Sequence, residues 1–433
     1  MKWTPLILGL AAAAGSSCLE GQVRPQWTVT VRTDAPLPLV GDRLLVEILD
    51  AEGALACEAC RTVRPAPPGT FPFSFGVLPT SRPLRVRVRL HRARAVRGVD
   101  TPDPDTTLDA LVALPLSPGP VEVDLAMACF GVPSQGDATC APATRALTPI
   151  ATAPAPSRKL EEGTWALARA QPCDDAQAPS GMRCAPAGPF FFGSLLDVDE
   201  PRDYLTYLSP FYLDVDELSV GRARAAILAG AVGREPGRKN ADARCVYLGA
   251  NEARNDDLAL NCVDRTLAAA LCASEGKALP TEAQFAAAAG NGALGTRFPW
   301  GESSDICAHA VVARSDSGSE PHECRYGGAE THPSGPAPLS DATLDVTFAP
   351  SAFRHMGGNF DEWVQDSYRP MFDSYYRSAV PLIDPLSVNG GGGVIRGGAW
   401  FANRAFAQSF WRASEGITGT THTGFRCAKA VEH

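Results

Sequence analysis

Thirteen cysteines and seven histidines carry the widest chemical reach in this 433-residue chain. Thiolates form disulfides, bind soft metals and act as nucleophiles, while imidazoles bind metals and move protons. The histidines are His91, His309, His322, His332, His355, His422 and His433, and none fall into HxxxH or HExxH spacing. The helical pattern that puts two imidazoles on one metal is therefore missing. His309 and His322 share a Gly/Ser-rich loop, a poor setting for a ligand pair. Cys57 and Cys60 form a CxxC pair. Redox use wants a strand before it and a helix after it, and zinc use wants a second pair. Neither context is present, so a local structural disulfide in a turn is the expectation.

Setting Cys18 aside leaves an even number of cysteines, as expected for disulfides in an oxidising compartment. Cys129 with Cys140, Cys173 with Cys184, and Cys307 with Cys324 are near neighbours in sequence. Each pair, if joined, closes a short loop and contributes on the order of 3 kcal/mol in the chain-entropy treatment. Spacing leaves the connectivity open. The first 18 residues point to the same compartment. Lys2, the apolar run Leu6 to Ala14 and the small residues Gly15-Ser16-Ser17 make an export signal. Cys18 then resembles the lipidated cysteine of bacterial lipoproteins, although Gly15 stands where that pattern has leucine. The expectation is an exported protein, either a cell-envelope lipoprotein or a periplasmic or extracellular one. No later stretch reaches 18 apolar residues, so membrane contact is expected only through a lipid anchor. A net charge of −9 argues against a nucleic-acid partner.

Such groups need a scaffold, and the length predicts two domains. Residues 24–135 read as an all-β, sandwich-like domain. Trp27 to Arg32 and Leu84 to Leu90 alternate apolar with polar, separated by Pro- and Gly-rich turns. The row Arg85, Arg87, Arg89 is expected on the solvated side of its strand. Residues 141–160, rich in Ala, Pro and Thr, read as a linker. A second domain over 163–433 is mixed. Phe211 to Val215 looks like a strand, Ser219 caps a helix over Val220 to Ala229, Asp264 caps a helix carrying Leu267 and Leu271, and Thr281 caps a helix over Glu282 to Ala289. From Phe298 onward the chain is Gly-rich and aromatic with little periodicity.

Seven segments of this second domain, taken in order, resemble one family. They are Phe211-Tyr212-Leu213-Asp214 with Glu217-Leu218-Ser219; Asn261-Cys262-Val263 with Ala270-Leu271-Cys272; and Gly276-Lys277-Ala278-Leu279-Pro280-Thr281-Glu282. Then come Phe298-Pro299-Trp300-Gly301, Met356-Gly357-Gly358-Asn359-Phe360-Asp361-Glu362-Trp363, Arg396-Gly397-Gly398-Ala399-Trp400, and Gly424-Phe425-Arg426-Cys427. The resemblance is to the formylglycine-generating enzymes, or sulfatase-modifying factors. It implies an α+β class with a C-type-lectin-like C-terminal domain of low regular secondary structure. It also implies a Cys272–Cys427 disulfide, which leaves Cys245 and Cys262 as the remaining pair.

The resemblance further implies oxidation of a substrate cysteine to formylglycine with oxygen and copper. Two cysteines after the R-G-G segment hold the copper, because thiolates suit Cu(I). Here those positions fall on Ala402 and Ala407, and Ala399 replaces a serine. An alanine methyl binds no metal, so copper is not expected. Iron-dependent relatives take their ligands from a His-rich helical domain that this sequence does not show. Calcium is the cofactor the resemblance leaves open, at Gly358, Phe360 and Glu362, with His355 where the family has Asn or Asp and with Asp361 or Asp366 as a replacement donor. Alternatively Glu362 pairs with an arginine such as Arg396. Two functions compete: a non-catalytic protein that binds a peptide, glycan or protein partner, and an oxidoreductase with a divergent site built from Asp361, Glu362, Arg396, Asn403, Arg404 and Arg412.

Overall fold

Strict apolar–polar alternation builds the N-terminal half. The computed structural model describes residues 25–98, 101–151, 159–185, 188–238, 242–316, 323–326, 335–340, 353–416 and 421–431. The expected signal segment with Cys18, and His322, His332 and His433, lie outside these residues. Seven strands form two sheets: β1 (Trp27–Thr33), β2 (Arg43–Leu49), β3 (Arg61–Pro65), β4 (Phe73–Val77), β5 (Arg85–His91), β6 (Leu108–Ala113) and β7 (Pro120–Leu125). The orders are β4-β1-β7, in which β1 and β7 run parallel, and β3-β2-β5-β6. Val29 and Val31 of one sheet and Val86, Val88 and Leu90 of the other are fully buried and join one core. Burying each contributes about 1.5–3 kcal/mol.

The arginine row of β5 is not solvated as expected. Arg87 pairs with Asp109 on β6, Arg89 pairs with Glu47 on β2, and Arg85 reaches Asp137 at 2.6 Å. Alternation assigned the face, but cross-strand carboxylates and the segment carrying Asp137 cover it.

The expected linker is also corrected. Ala138–Ala141 pairs with Ala146–Pro149 as a hairpin whose turn includes Arg145 at φ 56°. Arg145 donates to Phe130 O at 2.9 Å and to Val380 O at 3.3 Å, so the hairpin touches both halves. Gly163 N donates to Ala35 O, Trp165 N donates to Asp34 O, and the Trp165 ring packs on the sandwich core. The boundary expected at 163 thus falls inside a segment docked on the first half. The prolines and threonines of this segment disfavour helix but do not forbid a two-strand ladder. The halves are further joined by a buried ion pair, Arg92 to Asp203 at 2.8 Å, with the Arg92 guanidinium 3.5 Å from the Phe191 ring centroid.

The second half forms where its caps are local. Helix α1 (Val220–Leu228) starts at Ser219, α2 (Arg265–Ser274) starts at Asp264, and α3 (Glu282–Ala289) starts with a Thr281/Gln284 capping box. Leu267 and Leu271 are buried, as their spacing predicts. A three-stranded sheet pairs Phe211–Asp214 with Met182–Ala185 and with Ala428–Ala430, which brings the beginning of this half to its end. A four-stranded sheet carries the site, in the order Arg412–Glu415, Gly393–Arg396, Asp361–Ser367, Thr423–Gly424.

All twelve cysteines of the described residues are joined: 57–60, 129–140, 173–184, 245–262, 272–427 and 307–324. The long-range Cys272–Cys427 bond ties α2 to the residue just before the last strand, Ala428–Ala430. No helix among the described residues is long and apolar enough to cross a membrane.

Candidate functional site

The turn after Arg396 holds the positions where the resemblance implies chemistry. Gly397 and Gly398 sit at φ 95° and 85°, and a Cβ on Gly398 would meet Phe406 O at 2.9 Å. That close approach needs glycine. The turn is fixed by Trp400 N donating to Asn359 O, Ala402 N to Ala399 O, and Ala313 N to Ala402 O. Ala399 is fully buried. Ala407 is also fully buried, in an apolar cluster with Phe298, Trp300, Ile306, Val312 and Cys324. Ala402 is half-buried, and neither it nor Ala407 lines the three cavities that border the seam or adjoin it. Aromatic rings occupy the surrounding surface. Phe406 is partly exposed and stacks on Trp411 at 4.7 Å, and Phe401 lies edge-on to Trp400 with Arg244 over its face.

The polar candidates of the enzyme reading are distributed among structural roles. Asn403 caps the turn Arg404–Ala407 by accepting from Ala405 N, and Arg404 is exposed on that turn. Arg396 and Arg412 both converge on a carboxylate that the sequence offered as a helix former and as part of a family-like segment, without a site role, Glu282. Arg396 donates to it at 2.9 Å, and Arg412 grips both its oxygens at 2.7 and 2.8 Å. Burial alone would raise the Glu282 pKa, but the two guanidiniums hold it below the ordinary value. Arg412 also reaches Glu200 and Arg369 O. The only sequence hint of this cluster is that Glu282 opens a helix directly after Pro-Thr.

Asp366 adjoins the same cluster. Its oxygens accept from Glu282 N at 2.7 Å and from Ser387 N at 2.8 Å. Burial first, then the Glu282 charge, push its pKa up to about 7 against those two bonds. The native state therefore binds one more proton than the unfolded chain between about pH 4 and 7. Its contribution is fully present below the unfolded value and is lost as pH rises through the native one. Denaturant unfolding of wild type and Asp366→Asn from pH 4 to 8 is expected to show wild type losing a few kcal/mol relative to the variant by pH 7, then a flat difference. A difference independent of pH would refute the assignment.

Asp361 is buried and accepts from the His422 ring at 2.7 Å, if Nδ1 carries the proton. Burial raises the Asp361 pKa, and the carboxylate raises that of His422 despite the ring's own burial. This pair lies beside Phe401, with the rings of Phe401 and His422 5.6 Å apart. His309 stacks on Trp300 at 5.5 Å. No group of three or more His, Cys, Asp or Glu among the described residues is arranged to hold a metal.

The proposed calcium donors do not fit that ion. Glu362 is fully buried, and both its oxygens accept from Arg426, at 2.7 to 3.0 Å. The same guanidinium donates to the carbonyls of Asp214, Val215, Arg354 and His355. A fixed cation thus already sits inside an oxygen cage of the kind a hard metal prefers. His355 is fully buried and brings an imidazole where calcium wants oxygen, while Gly358 packs tightly against the Val311 main chain. The alternative partner is corrected as well. Arg396 is the cross-strand neighbour of Glu362, yet its guanidinium turns to Glu282 and leaves Glu362 to Arg426. Glu217 completes the cage, accepting from Asn359 Nδ2 and Phe360 N. Burial and then the Glu362 charge raise its pKa well above the ordinary value. Burial raises the Glu362 pKa as well, against the opposing Arg426 charge, so two carboxylates share one guanidinium in this cage.

Comparison with known proteins agrees with the motif order. The family described as sulfatase-modifying factor enzyme 1-like domain matches residues 169–431, more than half the chain. The serine/threonine-protein kinase Pkn1 of Chlamydia trachomatis serovar L2 is 33% identical over 160 residues, 36% of this chain and 22% of that one. The chain thus spans under a quarter of the length of this curated relative. Among solved structures, PvdO from Pseudomonas aeruginosa is similar at 23% identity and TM-score 0.43, over 58% of this chain and 94% of that one. Treponema denticola variable protein 1 is similar at 17% and 0.39, over 58% and 95%.

Proposed function

This chain belongs to the sulfatase-modifying factor enzyme 1-like family, and from that premise we propose that it is a non-catalytic member, a binding or scaffold protein of the cell envelope. The observation that carries the reading is the thiol inventory. Every cysteine of the described residues is in a disulfide, and the two positions after Arg396 that would hold copper are alanines. A side chain at 407 would face an apolar cluster rather than a cleft. Without a soft ligand pair there is no seat for Cu(I). The turn offers aromatic surface instead, around Phe401, Phe406 and Trp411, which suits recognition of a peptide, glycan or protein partner. The six disulfides fit an exported protein, and the segment ending at Cys18 supplies the expected lipid anchor.

Incubation with a cysteine-containing sulfatase peptide, copper and oxygen is expected to give no aldehyde by mass spectrometry, where an active family enzyme gives it. Aldehyde at rates comparable to that enzyme would sink the non-catalytic reading. Membrane fractionation of a Cys18→Ala variant tests the anchor, since continued membrane association would refute it.

A further inference from the structure

The seam between the two halves holds a cleft of about 710 Å³ that is open to solvent on one side. Small-molecule sites commonly measure about 300–1,000 Å³. The sandwich contributes Leu37, Pro38 and Leu39 as one wall. The second half contributes Phe190, Phe211 and Phe353 with the Ala287–Ala288 face of α3. Alanines on that face leave the room. The seam is clamped by the buried Arg92–Asp203 pair, so the cleft is formed before any ligand arrives.

Four polar residues line it: Asp42, Arg92, Arg94 and Asn291. Asp42 accepts from Ala93 N at 2.7 Å, Arg92 is held by Asp203, and Asn291 donates to Thr296 Oγ1 and Pro299 O. Arg94 differs, because it makes no hydrogen bond or ion pair among the described residues. Desolvation and the neighbouring Arg92 charge lower its pKa, with Asp203, Asp42 and Glu302 opposing them. An unpaired cation beside apolar walls selects a ligand with both an anionic end and a hydrocarbon body.

We propose that this seam cleft binds a single-chain amphiphile with a carboxylate head, the chain lying against Leu37, Phe190 and Phe211 and the carboxylate pairing with Arg94. The site is separate from the turn carrying Ala402 and Ala407 and does not depend on whether that turn is catalytic. Calorimetric titration of the full chain with dodecanoate, below its micellar concentration, is expected to saturate at a single site. Arg94→Gln, a change at an exposed side chain, is expected to weaken dodecanoate about tenfold or more. Dodecanol is expected to bind wild type more weakly than dodecanoate does. Ala288→Trp fills the trough and is expected to abolish binding, with an unchanged unfolding midpoint serving as the check on its fold. The proposal is overturned if dodecanoate does not saturate, or if Arg94→Gln leaves its affinity unchanged. It is equally overturned if dodecanol matches dodecanoate, or if a short peptide with an aliphatic C-terminal residue binds more tightly than the fatty acid.

Discussion

Arg426→Met is expected to destabilise the second half by about 3–5 kcal/mol, the range for breaking a buried ion pair by removing one partner. Arg426 and Glu362 are both fully buried. Methionine leaves the Glu362 carboxylate beside Glu217 with no cation, and four main-chain carbonyls lose a donor. The check is denaturant unfolding followed by near-ultraviolet circular dichroism, which reports the packed tryptophans. Glu362→Gln is expected to cost less, because the amide oxygen and four main-chain carbonyls still accept from the guanidinium, and the adjoining Glu217 carboxylate is left to balance its charge. Equal losses for the two variants, or a loss below about 1 kcal/mol for Arg426→Met, would mean that the cage contributes little. Calcium titration gives a second readout. Wild type is expected to show no calcium-dependent rise in unfolding midpoint, since the guanidinium already occupies the carboxylate. A calcium-dependent rise that Glu362→Gln abolishes would restore the ion to this site.

The second large effect concerns the Cys272–Cys427 bond. It closes a loop with a sequence separation of 155, and both cysteines are fully buried. In the chain-entropy treatment a loop of that order contributes about 5 kcal/mol. The paired change Cys272→Ala with Cys427→Ala is expected to cost most of that, because the other disulfides of this half span 17 residues or fewer and tie no distant segments. Cys57→Ala with Cys60→Ala removes a loop of separation 3 in the sandwich and is expected to cost far less. Thermal unfolding of both variants against wild type decides between this ordering and its reverse. If the short loop mattered more, the stabilisation would come from local packing around the sulfurs and not from restricting the unfolded chain.

Much of this was legible in the sequence, for local reasons. The helices over 265–274 and 282–289 were readable because their caps, Asp264 and Thr281, act within three residues of the helix start. The sandwich strands were readable because alternation has period two and each strand buries one face. Five of the six disulfides join cysteines 17 residues apart or fewer, so proximity in sequence already was proximity in space. The polar pairings were different. Glu362 has two arginines within reach of its sheet, and nothing in their spacing says which one it takes. The answer depended on Glu282, 80 residues upstream in sequence, drawing Arg396 away. The arginine row of β5 was misread for the same reason, since its covering carboxylates lie on neighbouring strands.

The sequence by itself determined the family, because that is a property of residue types in a fixed order, and it motivates the proposal that copper chemistry is missing, since an alanine at 402 or 407 binds no copper wherever the chain places it. Tertiary structure alone decided that the cage around Glu362 is filled by an arginine, that residue 407 faces an apolar cluster, and that the two halves meet in a seam with an unpaired Arg94. These are facts about which groups come together across scores of residues. Long-range electrostatics and burial depend on the neighbours that folding supplies, and a chain read one residue at a time carries no record of them.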